Sequence, residues 1–287
     1  MDTDTQRELA QTFQNRHTET TADPLVLPNS WDAASTIIYE AAGLEAVGTS
    51  SAGIAAALGV PDGEHLARDE MLAVVSRIAH GVGIPVSADI EAGYGDTPDD
   101  VAGTVRKTID AGAVGINLED GTDNSESSLM DTHRHSEKIR AARKTADEAD
   151  LPLVINGRTD VFWRDVGNEA DRIEHAIERA NEYYDAGSDC LFIPGVTDAE
   201  TIAALVDGLD GPLNVLGGPE VPPIPELNKL GVARVSVGSG PMRATLGYLR
   251  EISTALNDEG TYHQMENAIP YSDLNALLTT SRNHHTE

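Results

Sequence analysis

Asp89 and Glu91 stand two residues apart at the end of the apolar run Pro85-Val-Ser-Ala-Asp, and Glu119 ends the next run, Ala113-Val-Gly-Ile-Asn-Leu-Glu. On a strand, a spacing of two puts side chains on one face. Asp89 and Glu91 are therefore expected to point together, toward a neighbouring strand tipped by Glu119. Three carboxylates gathered there would repel one another unless a cation lay between them. Hard oxygen donors with room for water suit Mg2+, with Mn2+ also acceptable. Each acid alone could instead cap a helix or pair with a base; the set argues for a metal. Arg158 ends a further run, Leu153-Val-Ile-Asn-Gly-Arg. A planar guanidinium beside a metal holds a carboxylate or phosphonate through two parallel hydrogen bonds; the alternative is an ion pair with Asp160 or Glu119. Ser50-Ser51-Ala52-Gly53 could set a hydroxyl and successive backbone N–H groups around an anion, or be an ordinary turn. His133-x-His135 is the one histidine pair that stands out, and no Cys/His cluster has zinc spacing. Cys190 falls inside an apolar run and reads as a buried, inert thiol.

What must position these groups is an alternation that repeats eight times from Pro24 onward. Short runs of Val, Ile and Leu, fitting parallel strands buried on both faces, alternate with amphipathic stretches. Between Asn168 and Ala186, for example, Ile173, Ala176, Ile177, Ala180 and Tyr184 form one apolar stripe. Thr97-Pro98-Asp99-Asp100 supplies a helix start, and the glycines after Ala42, Ala111, Ala186 and Leu230 mark four helix ends. Eight strand–helix units with no break in composition predict a single (β/α)8-barrel domain over residues 1–287. The barrel itself would run over about 24–255, with an extra N-terminal helix ahead of it. In such barrels the chemistry sits at the carboxyl ends of the strands, where the three carboxylates, Arg158 and the Ser50–Gly53 turn all fall. No Gly-x-Gly-x-x-Gly opens the first unit, which lowers a dinucleotide-binding reading.

The chain carries 20 Lys and Arg against 48 Asp and Glu, a net charge of −28. Such a field repels nucleic-acid phosphates and anionic lipid, so neither is an expected partner. It reads as a surface adapted to high salt, where screening relieves the self-repulsion. A small anionic substrate would then need a metal and an arginine to reverse the field locally. The single cysteine permits no intrachain disulfide, no apolar run is long enough to span a membrane, and the polar N-terminus lacks a signal-peptide core. A cytoplasmic setting is expected.

The phrases Gly48-Thr-Ser-Ser-Ala-Gly-Ile-Ala, Leu58-Gly-Val-Pro-Asp62-Gly, Ala88-Asp-Ile-Glu-Ala-Gly-Tyr-Gly, Asn117-Leu-Glu-Asp, Asn156-Gly-Arg-Thr-Asp and Pro212-Leu-Asn-Val-Leu occur in this order. Together they resemble the isocitrate lyase / phosphoenolpyruvate mutase superfamily, over nearly the whole of Leu25 to Leu249. The likeness is greatest to its phosphonomutase-type branch, described as carboxyvinyl-carboxyphosphonate phosphorylmutase-like. The resemblance implies a Mg2+-dependent barrel that makes or breaks a C–C or P–C bond next to a carbonyl, through an enolate-type intermediate. It also implies a last helix exchanged between subunits in a dimer of dimers. Carried over residue by residue, Asp89 and Glu119 hold the metal directly or through water, with Glu91 beside them. Ser50, Ser51 and Ala52 bind the substrate carboxylate, and Trp31 and Asn214 line the pocket. Arg158 faces the reacting group with Asp62 by it, and together with Glu119 they make the catalytic set.

Two departures stand out. The lyases of the superfamily carry a Lys-Lys/Arg-Cys-Gly-His loop where this chain has Gly121 to Asp131 without a cysteine, and the mutase loop's lysine is missing, with Asn124 the one candidate for its asparagine. The lyase glutamate of the sixth unit is replaced in Ile193-Pro-Gly195. Two other readings follow: a barrel that binds a small acid without turnover, and an unrelated phosphate-binding barrel using Gly217-Gly218 and Gly238-Ser-Gly240.

Overall fold

The apolar runs form strands where their composition places them. In the computed structural model, which describes residues 2–18, 23–122 and 128–283, nine parallel strands lie within the described residues. They are β1 (Leu25–Leu27), β2 (Asn29–Ser30), β3 (Val47–Thr49), β4 (Val86–Asp89), β5 (Gly115–Glu119), β6 (Val154–Arg158), β7 (Cys190–Phe192), β8 (Leu213–Leu216) and β9 (Arg234–Ser236). The helices are α1 (Thr3–Thr18), α2 (Ala33–Ala41), α3 (Ser51–Ala57), α4 (Arg68–Ala79), α5 (Pro98–Asp110), α6 (Thr132–Glu148), α7 (Arg172–Asp185), α8 (Ala199–Gly208), α9 (Ile224–Lys229), α10 (Gly240–Thr254) and α11 (Tyr271–Asn283). None is long and apolar enough to cross a membrane among the described residues.

The ninth strand comes from division of the expected first. β1 pairs with β9 and β2 pairs with β3, so the segment 25–30 joins the two edges of the sheet and closes the barrel. Pro28, between them, has no N–H to give to a ladder, and the pairing changes partner there. Asn29 fastens this seam. Its Nδ2 donates to the Thr49 carbonyl at 2.8 Å, and its Oδ1 accepts from the N–H groups of Val237 and Gly238 at 2.9 and 2.8 Å. Gly48 makes room for it, since a Cβ there would stand 2.8 Å from Asn29 Nδ2.

The four glycines expected to end helices, Gly43, Gly112, Gly187 and Gly231, all have φ between 85° and 113°, the left-handed region that an L side chain resists. Thr97 closes a capping box with Asp100 ahead of α5.

α1 lies across the amino-terminal ends of the strands. Gln6 Nε2 donates to the carbonyls of Ile109 and Ala113, Arg7 pairs with Asp150, and Arg16 pairs with Glu45. Its apolar face, Ala10 and Phe13, is buried, and a Cβ on Gly115 would stand 2.7 Å from Phe13. The extra helix therefore closes the base of the barrel. At the other end of the chain, α11 packs against α2 of its own chain, with Leu277 and Leu278 on a small cluster that includes Ile37, Val47 and Ile78. Leu246, Leu249 and Leu256 of the preceding segment are exposed.

Candidate active site

The sites expected at strand ends gather at one mouth, but the backbone departs from the expectation at Glu91. β4 stops at Asp89, and Glu91 has φ 53°, a left-handed turn. The two-residue spacing therefore does not place Asp89 and Glu91 on one strand face. Asp89 and Asp62 line a cavity of about 500 Å3 that enters the barrel axis. Glu91 and Glu119 line a second one, of about 620 Å3, together with Tyr94, Lys138 and Arg164.

Each acid is already held. Asp89 Oδ2 accepts from the Ser51 N–H at 3.0 Å and the Ser51 hydroxyl at 2.8 Å, and its Oδ1 accepts from Asn117 Nδ2 at 3.0 Å. Glu91 accepts from the Tyr94 hydroxyl at 2.9 Å and from the Glu64 N–H. Arg158 reaches Glu119 Oε2 through Nη1 at 2.6 Å and Asp160 Oδ1 through Nε at 2.6 Å, so both ion pairs weighed from the sequence form at once. Its guanidinium also lies 5.6 Å from the centre of the Phe192 ring, and it lines the axial cavity.

The acids press on one another. Burial and then Asp89 push the Asp62 carboxyl up from its ordinary range. Burial, Asp89 and Asp62 push Glu91 up to about 7, against the hydrogen bonds from Tyr94 and Glu64. Glu119 is pushed well above the usual range: its burial, with Asp160, Asp89 and Glu91, outweighs the attraction of Arg158. Burial opposes the Arg158 charge, but Glu119 and Asp160 overcome it and hold the guanidinium charged.

These are the conditions a divalent cation relieves. Among the described residues no three Asp, Glu, His or Cys side chains are arranged as a ready-made metal cage. Mg2+ does not need one, because it keeps several waters and takes one or two carboxylates. The donor set is all oxygen and crowded with like charge, so its chemistry fits Mg2+, with Asp89 on the axial cavity.

Ser50, Ser51 and Ala52 line the cavity; Ser50 Oγ accepts from the Gly53 N–H at 3.1 Å and starts α3. Asn214 lies fully buried within it. Trp31 does not reach the cavity lining and packs on the core beside Gly53, whereas Trp163 does line it. The His133-x-His135 pair does not become a metal centre. His135 is fully buried with its ring 4.6 Å from that of Tyr183, and burial depresses its pKa to about 4. Cys190 is buried and its thiol is pushed up to about 11 by that burial, as an inert thiol should be.

Sequence reasoning gave no site role to the deeper residues of the cavity: Ser87, Asn117, Asn156 and Arg234. Strand parity could have found them, since Ser87, Asn117 and Asn156 sit two residues before Asp89, Glu119 and Arg158 on the same face. Of the Gly121–Asp131 segment, 123–127, with Asn124, lie outside the described residues. Its stems are fixed: Gly121 bridges Leu129, and Arg164 Nη1 donates to the Thr122 carbonyl at 2.8 Å.

Comparison with known proteins agrees with this fold. A family model described as phosphoenolpyruvate phosphomutase matches residues 13–257. The 2-methylisocitrate lyase of Escherichia coli K12 is 27% identical over 84% of this chain and 83% of its own. The crystal structure of a protein from Burkholderia cenocepacia J2315 superposes with a TM-score of 0.89, at 36% identity and 96% coverage of both chains. A phosphonopyruvate hydrolase solved in complex with oxalate and Mg2+ superposes with a TM-score of 0.83, at 25% identity and 96% coverage of both.

Proposed function

Because the chain belongs to the phosphoenolpyruvate phosphomutase family, whose superfamily comprises lyases and mutases of small acids, we propose that it is a Mg2+-dependent enzyme that makes or breaks a C–C or P–C bond next to a carbonyl. Its substrate would be a small 2-oxo, enol-phosphate or phosphonate acid, and the path an enolate-type intermediate. The observation that carries this reading is the convergence of Asp62, Glu91 and Glu119 on Asp89, which contributes to raising each of their pKa values, beside one doubly paired arginine. The cavity that Asp89 shares with Ser51 and Arg158 has the size for a small acid.

Asp89 would hold the metal, with Glu119 and Glu91 acting directly or through water. Bound there, Mg2+ supplies Lewis-acid polarisation of a substrate oxygen. Ser50, Ser51 and Ala52 would take the substrate carboxylate with their N–H groups and hydroxyls. Arg158, fixed from both sides by Glu119 and Asp160, would face the oxygen on which negative charge develops, without needing to reorganise. Asp62, its carboxyl pushed up by burial and by Asp89, would stand by the reacting group at the cavity wall. The exposed leucines around α10 accord with assembly into a dimer of dimers, which light scattering in solution measures directly.

The test is metal-dependent cleavage of oxaloacetate or phosphonopyruvate. Full activity in both Asp89→Ala and Glu119→Ala would show the metal assignment to be wrong. A second reading, binding without turnover, is motivated by the missing lyase cysteine in Gly121–Asp131. Stabilisation by Mg2+ plus oxalate, with no turnover across a panel of 2-oxo acids and phosphonates, would select it.

A further inference from the structure

The axial cavity does not end at Asp89 and Arg158. It continues down to Arg234, the first residue of β9, which is in register with Asn214 on one side and Leu25 on the other. Arg234 is only 3% exposed, yet it lines the cavity. Its Nε and Nη1 have no hydrogen-bond partner, and no carboxylate pairs with it among the described residues. What it does meet is the Phe13 ring of α1, 6.0 Å from guanidinium carbon to ring centre.

The other buried or half-buried arginines nearby are paired: Arg158 with Glu119 and Asp160, Arg179 with Asp120, Arg143 with Asp189. Arg234 is the exception, and a buried cation without a counter-charge is strongly unfavourable. Its surroundings share the deficit. Ser87 Oγ, Asn156 Oδ1 and Asn214 Oδ1 are buried, face the same cavity and have no partner. The two amides are oriented by their other ends: Asn156 Nδ2 donates to Asn117 Oδ1 at 2.9 Å and Asn214 Nδ2 to Ser236 Oγ at 3.1 Å. Four strands, β4, β6, β8 and β9, thus direct unused polar atoms into one space.

We propose that the floor of the barrel cavity is a small-anion site in which Arg234 supplies the charge, Ser87 a hydroxyl donor, and Asn156 and Asn214 hold the waters that complete the anion's shell. A single guanidinium matches a single negative charge, so the ligand is a halide or a carboxylate. Burial depresses the Arg234 pKa to about 10, which leaves it charged at neutral pH. Phe13 and His17 of α1 close the far side, and burial, with Arg234 adding to it, depresses His17 to about 3, so a second cation does not compete for the anion.

Two sources of this chemistry exist: free chloride, and a second acid group on the substrate reaching down the axis. The site itself stands apart from the catalytic reading; only the second source rests on it. Crystals of the whole protein soaked in sodium bromide would show an anomalous peak within hydrogen-bonding distance of Arg234. Melting in chloride or bromide against gluconate at equal ionic strength would show saturable stabilisation, lost in Arg234→Met and weakened in Ser87→Ala. That pair of results supports the free anion. The substrate source predicts instead a KM at least tenfold higher for dicarboxylates in Arg234→Met, with monocarboxylates unchanged. A bromide peak without stabilisation is an adventitious ion only and overturns the site, as does the absence of both halide and KM effects. If Arg234→Met does not fold, Ser87→Ala and the bromide soak of the unmodified protein decide. A protein with no turnover at all but with the bromide peak and halide stabilisation would sink the proposed function and leave the anion site standing.

Discussion

Glu119 points into the barrel and Asp120, the next residue, points out of it toward α7, and the two regions treat a buried acid in opposite ways. Asp120 Oδ2 accepts from the hydroxyls of Thr159 and Tyr183 at 2.7 Å each and from Arg179 Nε at 3.0 Å, and its Oδ1 accepts from the Asp160 N–H at 2.9 Å. That shell also holds the loop stem, because Arg179 Nη2 donates to the Met130 carbonyl at 2.6 Å. On the inner side, burial and the nearby Asp89 carboxylate push Asp62, Glu91 and Glu119 up from the ordinary range, and all four acids line open cavities. The outer region uses its charge to fix the backbone. The inner region gathers more acid than its one arginine, Arg158, offsets, which is what a site for a cation requires.

Removing either acid should separate these roles. Asp120→Ala strands Arg179 in the interior and is expected to cost roughly 3–5 kcal/mol of stability, read from urea unfolding. A loss below about 1 kcal/mol would mean the outer shell is not a unit. Asp89→Ala should instead lower kcat about a thousandfold, several kcal/mol of transition-state stabilisation, with metal-free melting unchanged or higher. A marked drop in melting temperature would place Asp89 with the outer, structural group.

Smaller effects appear in pH dependence. His135 is depressed from 6.5 to about 4, so below the unfolded value the unfolded chain binds more protons, and stability is lost as pH falls from about 6.5 toward 4. His135→Phe should remove about 3 kcal/mol of that acid loss. An unchanged acid slope would show that this histidine does not titrate with unfolding. Glu91 has the opposite sign. Its folded value is raised to about 7, so the metal-free protein loses stability as pH rises from the unfolded value through 7. Glu91→Gln should be more stable than the parent by about 3 kcal/mol at pH 8 and nearly equal to it near pH 4.5. Mg2+ should shrink that difference; one that Mg2+ leaves untouched would argue against a cation among these acids.

The barrel was legible because its strands are buried on both faces and therefore written as unbroken apolar runs, and because left-handed glycines mark helix ends. The rim residues were legible as polar groups at the ends of those runs. The division at Pro28 was visible as a residue but not as an event, since the change of partner depends on which edge β9 presents. Glu91 was misplaced because a spacing of two implies a shared face only while the strand continues, and its φ of 53° ends the strand first. Trp31 was drawn to the pocket by resemblance, whereas Trp163, on a loop of no regular pattern, lines it. Arg179 looked like one more charge on a helix, and its burial is decided by Asp120, 59 residues away.

Among the described residues, the helix across the base closes that end of the barrel and leaves the rim as its opening. With Phe13 and its neighbours set into the bottom like a stopper, whatever enters at the rim must leave by the rim. A cleavage reaction in such a vessel produces two fragments that share one exit, so the outer fragment departs before the inner one. Product inhibition patterns would then be ordered rather than random, and a chain cut back past α1 would lose that order along with its seal.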